Sequence, residues 1–159
     1  MDYESFYKKW YSRLFGYLVR MTGDRELSSD IAQESFTRCL ARYSGMEEPK
    51  PVLFAIARNV VFDHHRRSGR EVAAEPDAEE PDRFSPDPEK ALLQGEQSER
   101  LLKALGMLPE TEREALSMAV GKALSYREIA EICGTTEANV KVRVHRARKK
   151  LRSMMEDIR

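Results

Sequence analysis

The sequence predicts an all-α protein of two small helical domains joined by a flexible acidic linker. In both halves of the chain, apolar residues recur every three or four positions, which is the spacing of amphipathic helices. Between the halves, residues 71–90 are rich in proline and acidic side chains and offer almost nothing to bury. The chain has 159 residues, 41% of them apolar, enough for two compact cores. We therefore expect domains at residues 1–70 and 91–159, with the linker at 71–90.

The first domain is predicted to contain three helices. Thr22-Gly23-Asp24 ends the first helix and supplies an N-cap for the second, and Pro51 suits the first turn of the third. The third helix is broadly apolar over residues 53–61 and is expected to end in a solvated basic tail at 64–70. Two apolar stripes mark the first two helices: Phe6, Trp10, Leu14, Leu18 and Met21, then Ala32, Phe36, Cys39 or Leu40, and Tyr43.

The charges along the chain are segregated, although they cancel overall. Counting Lys and Arg against Asp and Glu, residues 1–70, 71–112 and 113–159 carry net charges of +3, −8 and +5. The linker alone holds eight acidic residues and four of the seven prolines. Two basic blocks flanking an acidic one suggest contact with nucleic acid at both ends of the chain.

The second domain carries the local pattern of a helix-turn-helix. Its apolar face begins with leucines at 92, 93, 101, 102, 105 and 108. Ser125 and Glu128 form a capping box at the start of a short helix, and Gly134 stands where a helix C-terminus requires a positive φ. Thr135 or Thr136 can cap the helix that follows.

The last helix is predicted from a stretch that also alternates like a strand. Residues 140–145 read Val-Lys-Val-Arg-Val-His, but a single strand in a helical domain has no partner for its backbone hydrogen bonds. From residue 138 to 155 there are seven Lys or Arg residues and no acidic one. A recognition helix has this arrangement, because one face docks on the domain while the other reaches into the major groove. The inward stripe is Val140, Val144, Ala147 and Leu151.

Several functional classes find no support in the sequence. No nucleophile–base pair, phosphate-binding glycine loop or metal-ligand spacing is present, so we expect no catalytic residue, no cofactor and no small-molecule substrate. His64 and His65 diverge by about 100° on a helix, and no further ligands complete a metal site. Cys39 and Cys133 are expected as small buried residues. Without a long apolar run, we expect a cytoplasmic protein that does not bind membrane directly.

The motifs resemble those of the extracytoplasmic-function (ECF) sigma factors, the small two-domain members of the sigma-70 family of bacterial RNA polymerase specificity subunits. The resemblance covers nearly the whole chain except the linker. In the first domain it rests on residues 22–24, 30–36 and 53–59, and in the second on residues 108–116, 124–132 and 140–151. It implies a region 2-like domain, a linker and a region 4-like helix-turn-helix DNA-binding domain, and no enzymatic activity.

The resemblance assigns roles to residues of the first domain. One face of the second helix is implied to bind the clamp helices in the largest subunit of core RNA polymerase, through Asp30, Gln33, Glu34 and Arg38. The third helix is implied to meet the −10 element of the promoter as its strands separate, through Arg58, Asn59, Asp63, Arg66 and Arg67. Asn59 offers both a donor and an acceptor to a flipped base, and the arginines suit phosphates.

In the second domain the resemblance implies recognition of the −35 element. The positions facing DNA are Ala138, Asn139, Lys141, Val142, His145 and Arg146, of which Lys141 and Arg146 are the strongest candidates. Val142 stands where the family commonly has a small hydroxyl residue, and we expect it to meet a thymine methyl group or a sugar. Phosphate contacts, which add affinity but little sequence information, are expected from Arg127, Arg143, Arg148 and Lys149.

The implied partners are core RNA polymerase, including the flap of its second-largest subunit, promoter DNA and, as a further candidate, an anti-sigma factor. Two alternatives remain open from the residues alone. The first is a helix-turn-helix transcriptional regulator that acts without being a polymerase subunit, and the second is a helical adaptor that binds only protein.

Overall fold

The computed structural model describes residues 2–72 and 96–157, which form helices joined by short turns and loops. Their seven α-helices confirm the predicted all-α class, and no strand occurs in them. The helices are α1 (Tyr3–Thr22), α2 (Arg25–Tyr43), α3 (Lys50–Val72), α4 (Glu96–Gly106), α5 (Glu110–Ala119), α6 (Tyr126–Cys133) and α7 (Glu137–Asp157). A single 3₁₀ turn, Val120–Lys122, follows α5.

Local capping sets the ends of the first helices as predicted. Gly23 ends α1 in the left-handed region at φ 69°, and its N–H donates to the carbonyl of Val19. Asp24 then caps α2 by accepting from the N–H of Leu27 at 3.0 Å. Pro51 lies in the first turn of α3, where the missing N–H of proline costs no helical hydrogen bond.

The first domain is a three-helix unit in which α2 packs against both α1 and α3. Both predicted stripes face its core, and Cys39 rather than Leu40 takes the inward position, since Leu40 is 37% exposed. One correction concerns the end of α3. The helix runs through the predicted basic tail to Val72, and His65 on it is buried instead of solvated.

The second domain contains the predicted helix-turn-helix. Ser125 accepts from the N–H of Glu128 at 3.1 Å, and the Glu128 carboxylate accepts from the N–H of Ser125 at 2.9 Å, which completes the capping box. Gly134 ends α6 at φ 67°, and Thr136 caps α7 through the N–H of Asn139. The turn before α6 contains two left-handed residues, Gly121 and Lys122.

The core of the second domain is built where α7 packs on α5, α4 and α6. Leu105 and Leu108 are buried as expected, but Leu101 is 42% exposed, so the apolar face of α4 is narrower than its sequence predicts. The leucines expected at 92 and 93 lie outside the described residues. So does the predicted linker, apart from residues 71 and 72, which continue α3.

The two domains are in contact. Helix α1 packs against α4 and α5, and α3 packs against α6. Buried side chains of both domains belong to one apolar cluster. Within residues 2–72 and 96–157, no helix is both long enough and apolar enough to cross a membrane.

Candidate nucleic-acid interface

Helix α7 presents two different faces, as its sequence predicts. Val140, Val144 and Ala147 are each at most 1% exposed, and Leu151 is half-buried, so this stripe anchors the helix on the domain. Val142, two residues from each inward valine, is 44% exposed. The strand-like alternation therefore reflects two inward valines and one outward valine on a helix.

The outward face of α7 brings together the residues expected to face DNA. Six of them are exposed along the N-terminal half of the helix: Ala138, Asn139, Lys141, Val142, His145 and Arg146. Arg148 and Lys149 are exposed further along, and Arg143 is half-buried. Arg127 lies on α6 and forms a surface ion pair with Glu131 at 3.7 Å. An exposed face rich in cations attracts a polyanion.

Helix α3 carries the residues expected at the −10 element, and they lie in different environments. Asn59, Arg66 and Arg67 are exposed, and Arg66 pairs with Asp63 one turn earlier. Arg58 instead forms an ion pair with Glu114 of α5, in the other domain, and its guanidinium lies 4.7 Å from the centre of the Phe62 ring.

A cavity of about 330 Å³ opens between α2 and α3 beside Asn59. Four of its six lining residues were not among the predicted site residues: Ala41, Arg42, Tyr43 and Ile56. Tyr43 was missed because it continues the apolar stripe of α2. In the structure Tyr43 is half-buried at the cavity wall. Together the lining offers an aromatic ring, an amide, two cations and two apolar side chains: Arg38, Ala41, Arg42, Tyr43, Ile56 and Asn59.

The residues expected to bind core polymerase share one face of α2. Asp30 and Gln33 are exposed, and the Gln33 amide donates to the hydroxyl of Tyr7 on α1 at 2.9 Å. Glu34 and Arg38 form an ion pair at 2.6 Å. Arg38 also lines the cavity beside Asn59, so it lies between the face predicted for polymerase and the face predicted for DNA.

The contact between the domains shifts the pKa values of Arg58 and Cys133, which both lie close to Glu114. Burial by itself lowers the pKa of Arg58, but the hydrogen bond and the charge of Glu114 outweigh it and raise that pKa. Burial, followed by the charge of Glu114, raises the pKa of the Cys133 thiol to about 12.

Both cysteines are free thiols, and Cys39 is buried. In the described part of the chain, no group of three or more His, Cys, Asp or Glu side chains is placed to hold a metal ion.

Comparison with known families identifies the class to which this site belongs. The family Sigma-70 region 2 matches residues 6–71, and the family Sigma-70, region 4 matches residues 98–151. The two matches follow one another as in sigma factors, and they coincide with the helices that carry the two predicted DNA-facing surfaces. The class is therefore that of the sigma-70 transcription initiation factors.

Individual relatives narrow the assignment. ECF RNA polymerase sigma factor SigM of Bacillus subtilis is 31% identical over 156 residues, which are 97% of this chain and 95% of SigM. ECF RNA polymerase sigma factor EcfG of Rhodopseudomonas palustris is 30% identical over 145 residues, 89% of this chain and 78% of EcfG. The chain belongs to the ECF sigma factors of the sigma-70 family, and it is an RNA polymerase sigma factor that directs promoter-specific transcription.

A solved structure shares the whole architecture. The sigma factor RpoE of Bartonella quintana, solved in complex with the anti-sigma factor NepR, matches with a TM-score of 0.70 at 25% identity. The match covers 98% of this chain and 99% of the RpoE chain. The fold therefore agrees over both domains.

Proposed function

We propose that α2 binds core RNA polymerase, that α3 and the cavity beside it capture the opened −10 element, and that the outward face of α7 reads the −35 element. One observation carries this proposal: a docked helix whose exposed face is rich in cations lies in the region 4 match, on the same chain as the region 2 match over residues 6–71. A helix-turn-helix regulator acting without polymerase accounts for the first of these features and leaves residues 6–71 without a role.

At the −35 element, the side chains in the N-terminal half of α7 contact the edges of the bases. Lys141 and Arg146 are exposed and carry donors suited to the acceptor edge of guanine in the major groove. Asn139 is exposed and donates its side-chain amide to the hydroxyl of Thr135 at 3.1 Å, and its side-chain oxygen is an acceptor suited to a base donor. Arg127, Arg143, Arg148 and Lys149 position the domain on the phosphates.

At the −10 element, the cavity between α2 and α3 receives a base that leaves the stack. Tyr43 supplies a ring for stacking, Asn59 supplies a donor and an acceptor, and Arg42 supplies charge for the neighbouring phosphate. Arg66 and Arg67 continue the positive surface along α3, and Asp63 holds Arg66 in place. Enclosure between two helices supports base capture, because a flipped base must be shielded on both faces.

Binding to polymerase uses the polar face of α2. Asp30, Gln33 and Glu34 meet basic and amide groups on the clamp helices of the largest subunit, while Arg38 keeps Glu34 oriented. We further propose that the second domain contacts the flap of the second-largest subunit. An anti-sigma factor is a candidate partner, because the similar RpoE was solved with one. The chain acts in the cytoplasm, where polymerase and promoter DNA are found.

The deciding experiment adds the purified chain to core polymerase and sequences the run-off transcripts from genomic DNA. We expect a small set of specific start sites that share two upstream elements. A core preparation that initiates with another sigma factor but gives no specific start with this chain would exclude the proposal.

Two pairs of variants test the division of labour. Lys141→Ala and Arg146→Ala should weaken use of the −35 element without changing affinity for core polymerase. Gln33→Ala and Glu34→Ala should weaken core binding without changing the preferred promoter sequence. An adaptor that binds only protein would tolerate the first pair, and the same defect from both pairs would contradict the assignment of faces.

A further inference from the structure

A second cavity, of about 600 Å³, lies at the start of α6. Its walls come from distant parts of the chain: Lys50 at the start of α3, the turn that contains Lys122, and Arg148 of α7. Ser125 and Tyr126, where α6 begins, line the same space. Apart from Arg148, none of these residues has a role in the proposed function. A volume of this size is typical of small-molecule sites. We call this cavity the junction pocket.

The junction pocket carries a net positive charge. Three of its lining side chains are cations, and one, Glu128, is acidic. The Glu128 carboxylate is already engaged, because the ammonium group of Lys50 lies 3.4 Å away and the N–H of Ser125 donates to it at 2.9 Å. Lys122 and Arg148 are exposed, and neither has an ion-pair partner in the described part of the chain. Two unpaired cations at one cavity attract a ligand that carries more than one negative charge.

The backbone holds Lys122 at the pocket in an unfavourable conformation. Its φ is 55°, directly after Gly121 at φ 77°. Glycine adopts the left-handed region without cost, whereas a residue with a Cβ does not, so the turn by itself gives no reason for a lysine at this position. Helix α6 also begins at the pocket, and the positive end of its dipole adds to the attraction for an anion.

We infer that the junction pocket binds a nucleoside polyphosphate, with its phosphates on Lys122 and Arg148 and its base against the ring of Tyr126. Tyr126 is half-buried at the pocket wall, and an aromatic ring in that position offers a face on which a base can stack. This binding goes beyond the proposed function, because none of its contacts requires polymerase or a promoter.

The phosphate groups of duplex DNA have the same chemistry and are the competing occupant. A duplex keeps its bases stacked on one another, so it can supply phosphates to the two cations but no base to Tyr126. The aromatic wall therefore favours a free nucleotide. The two sources are distinguishable, since only the nucleotide should depend on the ring.

Isothermal titration calorimetry on the full chain tests the inference. The probes are ADP and GDP, with adenosine and guanosine as ligands without phosphate, and inorganic pyrophosphate as the ligand without a base. We expect saturable binding of at least one nucleoside diphosphate with one site per chain. Its nucleoside should bind at least about tenfold more weakly, because the charge-assisted hydrogen bonds are missing. Pyrophosphate should bind about fivefold more weakly or less tightly still, because the stacking contact is missing.

Variants of the lining residues assign the binding to the junction pocket. Lys122→Gln and Arg148→Gln should each weaken nucleotide binding about fivefold or more. Lys103→Gln is the matched control: it removes an exposed cation of the same domain that does not line the pocket, and it should leave the affinity unchanged. Lys122→Gly removes the charge and also relieves the backbone, so it should raise the Tm while still weakening binding. A merely structural role of Lys122 does not predict both results.

The ring of Tyr126 is tested by a pair of substitutions. Tyr126→Leu should weaken nucleotide binding about fivefold or more and leave pyrophosphate binding unchanged, whereas Tyr126→Phe keeps an aromatic face and should bind as the wild type does. Thermal unfolding of each variant confirms that it is folded before its affinity is compared.

Several results would overturn the inference. The first is wild-type protein that gives no saturable heat with either nucleotide. The second is an equal loss of affinity in Lys103→Gln and Lys122→Gln, which would reduce the effect to overall charge. The third is binding of an unrelated DNA duplex that depends on Lys122 while the nucleotides do not bind, which would assign the pocket to the DNA backbone. Failure of the chain to direct specific initiation would contradict the proposed function and would leave the calorimetric result standing.

Discussion

The ammonium group of Lys150 lies 3.0 and 2.8 Å from the two carboxylate oxygens of Glu112, and so ties α7 to α5. The Glu112 side chain is only 10% exposed, whereas the Lys150 side chain is 44% exposed. One of the seven cations of the recognition helix therefore holds the domain together. Its neighbour Lys149 is exposed and faces the proposed DNA surface.

Removing the charge of Lys150 should lower the stability of the protein, whereas removing the charge of Lys149 should weaken its binding to DNA. Lys150→Met leaves a nearly buried carboxylate without its partner, and we expect it to lower the free energy of unfolding by about 1–3 kcal/mol. Lys149→Met should change stability by less than about 0.5 kcal/mol but reduce the slope of log affinity against log salt concentration for promoter DNA by about 1. Urea unfolding and DNA titrations at several salt concentrations measure both quantities. If Lys149→Met lost more stability than Lys150→Met, our assignment of Lys150 to structure and Lys149 to DNA binding would be wrong.

The sequence predicted those features whose cause is local. The capping box at Ser125 and the left-handed position at Gly134 depend on residues within one turn, so the sequence alone was enough to predict the helix-turn-helix. The contacts between the two domains are not local. Arg58 and Glu114 are 56 positions apart, and no pattern in either helix relates them.

The errors about which helix residues are exposed have the same cause, because packing between distant segments leaves no local pattern in the sequence. His65 follows an apolar helix and precedes two arginines, so its neighbours indicated solvent, yet the packing of α3 buries it. Tyr43 fits the apolar stripe of α2, and only the position of α3 makes it part of a cavity wall. Spacing predicted the centre of each buried stripe, but the exposure of residues at the edge or end of a stripe depends on the elements that pack beside the helix.

Gly134, which ends α6, should be required because of its left-handed backbone conformation, and not because a side chain would clash with its surroundings. Gly134 has φ 67°, and a Cβ added there would meet nothing within 4 Å. Gly134→Ala should therefore cost about 1 kcal/mol, through the left-handed backbone alone. Gly45→Ala, at another open glycine without a positive φ, is the matched control and should change stability by less than about 0.5 kcal/mol. Equal effects of the two substitutions in thermal unfolding would show that the turn tolerates a side chain.

Val142 offers a test of base reading that leaves the fold intact. Its outward position at 44% exposure means that Val142→Ala should barely change stability. If it meets a thymine methyl group, replacing that thymine by uracil in the selected −35 element should weaken binding of the wild type about fourfold, the value of one buried methyl-sized group. Val142→Ala should lose this sensitivity. Fluorescence anisotropy with matched thymine and uracil duplexes provides the measurement, and equal sensitivity in both proteins would place Val142 away from the methyl group.

The pH dependence of the Cys133 thiol should report its burial beside the ion pair of Arg58 and Glu114. Burial and the nearby Glu114 charge raise its pKa to about 12, so the folded state favours the neutral thiol, whereas the unfolded chain titrates near 9. The resulting stability is fully present below pH 9 and is lost as the pH rises from 9 towards 12. Because the thiolate is the reactive form, alkylation of Cys133 at about pH 8.5 should be at least tenfold slower in the native protein than in urea. Peptide mapping separates Cys133 from the buried Cys39, and Glu114→Gln should accelerate the reaction at Cys133 alone. A native Cys133 that titrates near 9 would contradict both its burial and its proximity to Glu114.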